Sequence, residues 1–302
     1  MSLPPVPISQ IEGARCLKRS LLSSEAFLSS DAVFVFLCGA NKSNAHPEPV
    51  RDVLIEYARK HYTGFRFFRA EDVLRAPVGQ EKTDWLTLED RIADFSDCII
   101  IVCESESAFA ELGAFTLSEK LVKQVLVIND QKHRHSDSFI NLGPIARADR
   151  KSDFKPAIYT DFQAVLKSID QIEARLRLVH RTRRIRVSLR TTAEFKNAPS
   201  KIRILFLADL VHFFAPVTPG EIVALLCFVY GEGSYDITLE LALLNSLRLI
   251  EHDSQWLRYA FKESAFFYDY ERVRPSTLRA VVIRDYFRND RDRLKHLPSK
   301  FV

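Results

Sequence analysis

The sequence predicts an α/β domain built on a Rossmann-like parallel sheet, followed by a small, mostly helical domain whose elements run in winged-helix order. The runs Ala32-Val-Phe-Val-Phe-Leu-Cys38 and Cys98-Ile-Ile-Ile-Val-Cys103 are apolar without a break, as strands covered on both faces should be. They alternate with stretches of helical period, the arrangement of βαβ units. Beyond about residue 190 the pattern changes to helical stretches and a short hairpin. A chain of 302 residues is long enough for two cores.

The first strand stops at Gly39 and gives way to the loop GANKSNAHPEP. Val50, Val53, Leu54, Tyr57 and Ala58 then mark one face of a helix opened by Pro49. Phe65–Phe68 reads as a short strand, and Leu88, Ile92 and Phe95 line a helix. After the second apolar strand come a helix over about 107–123, a strand at 124–129 and a last strand at 157–159. From Phe162, the spacing of Val165, Leu166, Ile169, Ile172, Leu176 and Val179 predicts one long helix running into a cluster of arginines. Stretches 201–214, 219–230 and 235–247 read as three helices, and Leu249–Glu251 and Trp256–Tyr259 as a hairpin. The expected division is an N-terminal extension (1–30), the sheet domain (31–161), a basic connecting helix (162–190) and the winged-helix-like domain (191–302).

No apolar run approaches the roughly 20 residues that span a bilayer, and the start lacks an apolar secretion signal, so a cytoplasmic protein without membrane contact is expected. Five cysteines, three of them inside strand-like runs, predict no structural disulfides. Net charge is only +4, but the segment from Arg175 to Arg190 holds seven arginines and no acid. Arg177, Arg181 and Arg184 fall at i, i+4 and i+7 of the predicted helix, a stripe that either touches nucleic-acid phosphates or is a solvated face.

The richest stretch for chemistry is DCIIIVCESESAFAELGAF, from Asp97 to Phe115. It reads as strand, polar turn and helix, with Glu111 about one turn inside the helix. Glu104, Ser105, Glu106 and Ser107 sit at the strand's carboxyl end, where ligands of parallel sheets bind and where backbone amides and hydroxyls can hold them. Breaking a C1′–N bond builds positive charge on a ribose, which a carboxylate can stabilise or trap. Glu111 can do that work, or it can be an ordinary helix-start acid. His133 and His135 have no Cys/His partners that would complete a zinc set, so no metal is expected. Cys103 lacks an adjacent histidine, and neither a GxGxxG nor a Walker A pattern is present.

FVFLCGA at 34–40, LTLEDRIADFSDCIIIVCESESAFAELGAF at 86–115 and SFINLGPI at 138–145 share order and spacing with the ribosyltransferase-like half of retron effector proteins. That half is itself similar to nucleoside 2-deoxyribosyltransferases, and the resemblance spans roughly residues 31–147. It implies a toxin of antiphage defence that cleaves a nucleotide's N-glycosidic bond, foremost NAD⁺ to nicotinamide and ADP-ribose, with NAD⁺ as substrate and no cofactor. It implies control by the retron reverse transcriptase and its multicopy single-stranded DNA (msDNA), and allows a homo-oligomer within that complex. The family's catalytic glutamate falls on Glu111, and further acids of its motifs on Glu71, Asp72, Glu89 and Asp97, each of which either binds substrate or caps a helix. Gly39, Glu104, Ser105 and Ser107, at or just beyond the carboxyl ends of the two apolar strands, complete the expected substrate-binding set. Asn141 either bonds ligand or shapes the turn before Pro144. The family's Pro- and Gly-containing turn is replaced here by Glu106 and Ser107. Two other functions fit the same residues: a nucleoside or nucleotide hydrolase or deoxyribosyltransferase that spares NAD⁺, and an inert nucleotide sensor whose winged helix binds DNA.

Overall fold

The computed structural model describes residues 7–28, 33–43, 47–62, 64–74, 92–179, 185–231, 235–253, 255–259, 266–272 and 274–297. Its strands are β1 (Ala26–Leu28), β2 (Val33–Cys38), β3 (Phe65–Phe68), β4 (Cys98–Val102), β5 (Val125–Asp130), β6 (Ile158–Thr160), β7 (Ile185–Val187), β8 (Ile250–Asp253), β9 (Trp256–Tyr259) and β10 (Tyr268–Tyr270). The chain forms two compact units, one of Asp31–Asp72 with Lys82–Arg181, the other of Met1–Ser30, Val73–Glu81 and Thr182–Val302.

The first unit is a five-stranded parallel sheet in the order β3-β2-β4-β5-β6. Every residue of β2 and β4 is buried, which is why their sequences carry no polar alternation. On one face Val35, Leu37, Ile100, Val102, Leu126 and Ile128 pack with Leu54 and Ile55 of the helix Val50–His61 and with Ile172 and Leu176 of the helix Ile169–Leu176. The opposite face is aromatic: Phe34 meets Phe95 at 4.6 Å, and Phe36 meets Phe68 at 5.7 Å and Phe115 at 6.2 Å between ring centroids.

The predicted long basic helix does not form. Phe162–Ser168 is a 3-10 helix with non-helical backbone at Ala164, the α-helix that follows ends at Leu176, and Ile185–Val187 is a strand. Ile172 and Leu176 are buried in the sheet's own core, so this segment completes the first unit.

The second unit takes in the N-terminal residues that the sequence reading set apart. The helix Glu12–Ser23 buries Ala14, Leu17 and Leu21, and a Cβ on Gly13 would lie 2.3 Å from Val282 Cγ2 of the helix Pro275–Asn289. β1 is the centre of an antiparallel sheet ordered β10-β1-β7. Helices Ser200–Phe214, Pro219–Tyr230 and Thr238–Ser246 and the hairpin β8–β9 agree with the sequence reading. Thr218 and Glu221 form a capping box that starts the second of these helices, and Gly231, with φ 79°, ends it.

Asp209 lies fully buried in the apolar helix Ser200–Phe214, where its carboxylate accepts from Phe267 N (2.9 Å), Tyr268 N (3.0 Å) and Tyr270 Oη (3.1 Å). Burial outweighs these donors and pushes its carboxyl up to about 7. An unfolded aspartate releases its proton near pH ~3.9, so the folded unit keeps a proton that the unfolded chain has lost. The stabilisation is full below that value and is lost as pH rises through about 7, at up to about 1.4 kcal/mol per pH unit. Urea unfolding across this range should show the decline, and Asp209→Asn should flatten it; an unaltered slope in the variant would assign it to other groups.

Candidate functional site

The chain passes from β2 out to β3 and then crosses to β4 on the other side of β2, so the crevice where open parallel sheets bind ligands lies at the carboxyl ends of β2 and β4. Gly39, Ala40 and Asn41 leave one strand, and Cys103, Glu104 and Ser105 leave the other.

Glu104 joins the two. Its Oε1 accepts from Ala40 N (3.0 Å) and Arg51 N (3.1 Å), and its Oε2 from Val50 N (2.7 Å). Val50 and Arg51 open the helix Val50–His61, so the carboxylate occupies the place where a helix start attracts an anion. Gly39 is required by this arrangement: a Cβ there would sit 2.7 Å from Glu104 Oε1 and 2.8 Å from Arg51 Cβ.

Arg51, which the sequence reading passed over, is the hub beneath. Only 3% exposed, it donates to Glu71 Oε1 (2.9 Å) and Asn41 Oδ1 (3.0 Å), and its Nε lies 3.4 Å from Asp52 Oδ1. Arg69 donates to Asp72 (2.7 Å) and Asp52 (2.9 Å). Glu71 and Asp72, expected to hold substrate, are therefore engaged in one ion-pair network after β3. A signal for Arg51 did exist, because it precedes Leu54, Ile55 and Ala58 by 3, 4 and 7 residues and so lies on the helix row that faces the core.

Asp97 is at the other end of the sheet. It precedes β4, its Oδ2 accepts from Phe34 N (2.9 Å), and its own N–H donates to Phe34 O (2.8 Å). The five residues of β4 separate it from the carboxyl edge by roughly 16 Å, so it clamps two strand starts instead of touching a ligand at that edge. Glu89 lies outside the described residues.

The helix Glu106–Leu117 begins at that edge with Ser105 as its N-cap, whose side chain accepts from Ala108 N (3.3 Å) and lies 3.0 Å from Ser107 Oγ. Glu111 is half-buried on this helix. It shares a row with Ser107, one turn toward the edge, and with Phe115, whose ring meets Phe36 of β2. Phe109, two residues before Glu111 and so about 200° around the helix, lines a cleft of about 1270 Å³ with Cys103, Glu104, Asp130, His133 and Phe162. Glu111 is not among the described residues lining that cleft. Burial pushes the Cys103 thiol up to about 12, which keeps it a thiol at neutral pH.

Asn141 is spent within the protein: its Nδ2 donates to His133 O (2.7 Å) and Ser136 O (2.8 Å), and its Oδ1 accepts from Tyr159 Oη (3.3 Å). It shapes the turn leading into a π-helical stretch that contains Pro144, which has no N–H to give.

The arginine segment is partly neutralised by acids from outside it. Arg177 follows the end of its helix and pairs with Glu173, while Arg186 (2.5 Å) and Arg190 (2.6 Å) both pair with Glu25. The Arg186 hydrogen bond holds the Glu25 carboxyl below its usual range. Arg181 and Arg184 lie outside the described residues, and the stripe inferred from a continuous helix loses its basis at Leu176.

The sequence profile of the STM3845 retron effector protein family matches residues 47–252, a span reaching into both units. Among similar proteins is the Escherichia coli protein called "Retron Ec73 putative ribosyltransferase/DNA-binding protein", 28% identical over 254 residues, which cover 79% of this chain and 80% of that one. Its retron Ec86 counterpart from the same organism, of the same description, is 34% identical over 127 residues, 42% of this chain and 40% of its own. No helix among the described residues is long and apolar enough to cross a membrane.

Proposed function

Because the chain belongs to the STM3845 retron effector protein family, we propose that it is an antiphage toxin that cleaves the N-glycosidic bond of a nucleotide, foremost NAD⁺. The observation that carries this reading is the half-buried Glu111 on a Ser105-capped helix that starts at the carboxyl edge of the parallel sheet. Relatives described as ribosyltransferases support it.

In this reading Glu111 faces C1′ of the nicotinamide ribose. As the C1′–N bond breaks, its electron pair leaves with nicotinamide, and the carboxylate stabilises or captures the oxocarbenium ion. Water then adds to C1′, giving ADP-ribose and a proton. Ser105 and Ser107 present hydroxyls beside the same helix start, suited to the sugar. The acids that the protein already engages, Glu71, Asp72 and Glu104, shape the edge instead of meeting the substrate.

Regulation by the retron's reverse transcriptase and msDNA completes the proposal. The relatives' description as DNA-binding proteins supports it, as does a second unit in which the helices Ser200–Phe214, Pro219–Tyr230 and Thr238–Ser246 lead into the hairpin β8–β9, the winged-helix order. The charge segment gives a test: Arg177→Gln, Arg181→Gln and Arg184→Gln together should flatten the salt dependence of msDNA binding by roughly two units if all three touch phosphate. Since Arg177 already pairs with Glu173, a smaller change would remove it from the contact, and an unaltered slope would make the segment a solvated surface.

Incubating purified full-length protein with NAD⁺, nucleosides and nucleotides and separating the products tests the activity. Nicotinamide and ADP-ribose in equal amounts are expected. Free base from nucleosides with NAD⁺ left intact would transfer the activity to the nucleoside hydrolase class, and no turnover of any substrate would favour an inert sensor.

A further inference from the structure

Glu104 differs from an ordinary helix-start acid because it comes from a different strand connection and both of its oxygens are met by backbone donors. Ala40 N, Arg51 N and Val50 N surround its two oxygens at 3.0, 3.1 and 2.7 Å. The residue after it, Ser105, is the N-cap of the helix that bears Glu111. Glu104 N also donates to Val102 O (2.8 Å), and Cys103 N to Ile128 O of β5 (2.9 Å), so the main chain at this turn is held as well. An independent sign of the carboxylate's importance is Gly39, where a Cβ would meet Glu104 Oε1 at 2.7 Å.

We propose that Glu104 is a positioning residue: its carboxylate ties the end of β2 and the start of the helix Val50–His61 to the turn that launches the helix carrying Glu111. The proposal rests on the catalytic reading of Glu111. It assigns Glu104 no contact with substrate, since both of its oxygens are used by backbone amides. A neutral residue at this place leaves the positive end of one helix uncompensated and frees the start of the other.

Glu104→Gln keeps size and shape but turns an amide NH₂ against one of three N–H donors. It should lower kcat for NAD⁺ cleavage by at least about tenfold while leaving KM within about twofold, the split expected when a reacting group is misplaced and substrate contacts remain. Gly39→Ala, which displaces the same carboxylate, should reproduce this pattern. Glu104→Ala empties the cradle, and sodium formate should then refill it. The melting temperature, lowered by roughly 5 °C, should rise again with formate at tens of millimolar, as should part of kcat, whereas neither changes in the wild type.

An unchanged kcat in Glu104→Gln, or a rise in KM alone, would overturn the proposal, the latter by making Glu104 a substrate ligand. Absence of any formate effect on Glu104→Ala would overturn it too; should that variant fail to fold, Glu104→Gln and Gly39→Ala decide. The formate shift in melting temperature needs no activity. If the wild type cleaves nothing, the catalytic reading fails while the shift still reports whether the carboxylate fills an amide cradle.

Discussion

Replacing Glu111 by glutamine is expected to cut kcat for NAD⁺ cleavage by about 10²–10⁴-fold, the range for loss of a reacting acid or base, with a melting temperature close to that of the wild type. Glutamine matches glutamate in volume, so no cavity opens beside Phe115 and the helix Glu106–Leu117 keeps its Ser105 cap. What disappears is one negative charge at the position proposed to face C1′, where the developing cation most needs it. Toxicity in cells should fall in parallel. A Glu111→Gln protein that consumed NAD⁺ at near the normal rate would remove Glu111 from the chemistry.

Glu71→Ala is expected to act oppositely, on stability before turnover. Its partner Arg51 is 3% exposed, and losing the 2.9 Å ion pair leaves a buried guanidinium with Asn41, the Gly39 carbonyl and the nearby Asp52. Stranding one member of such a pair costs about 3–5 kcal/mol, or roughly 10 °C in melting temperature for a unit of this size. Arg51→Met combined with Glu71→Ala should recover part of the loss, because no charge is then left behind. Asp72→Ala should cost less, since Arg69 is more exposed and keeps Asp52. A Glu71→Ala protein with wild-type stability but a raised KM would return Glu71 to the substrate.

The parallel sheet was legible in the sequence because strands covered on both faces admit no polar residue, and β2 and β4 show this without interruption. Three helices of the second unit, Ser200–Phe214, Pro219–Tyr230 and Thr238–Ser246, and the hairpin β8–β9 were legible from Pro219, Gly231 and the apolar spacing, whereas the helices Glu12–Ser23, Thr192–Asn197 and Pro275–Asn289 were not. The antiparallel sheet was not. β1, β7 and β10 are three residues each and meet across more than 150 positions of chain, so no local pattern announces their pairing. The expectation of a long basic helix failed because apolar spacing through Val179 says nothing about where backbone hydrogen bonding stops, and the helix ends at Leu176.

At the candidate site, sequence placed Glu104, Ser105 and Ser107 at the carboxyl edge and the family resemblance added Glu71 and Asp72, but neither could tell which acids the protein itself consumes. Glu104 meets amides 54 and 64 residues away, and Arg51 reaches Glu71 across 20. These partners are set by strand order, which a single sequence does not print. Asp97 was misplaced for a simpler reason: it belongs to the conspicuous motif, yet stands on the amino side of its strand.

The nucleotide is proposed to bind at the carboxyl ends of β2 and β4, and hydrogen exchange of the Glu111→Gln protein maps that location, because substrate that binds without being cleaved stays in place. Saturating NAD⁺ should slow exchange in peptides covering 38–41 and 103–112, where β2 and β4 end and the Glu111 helix begins. Protection confined to residues of the second unit, with 103–112 unchanged, would contradict it.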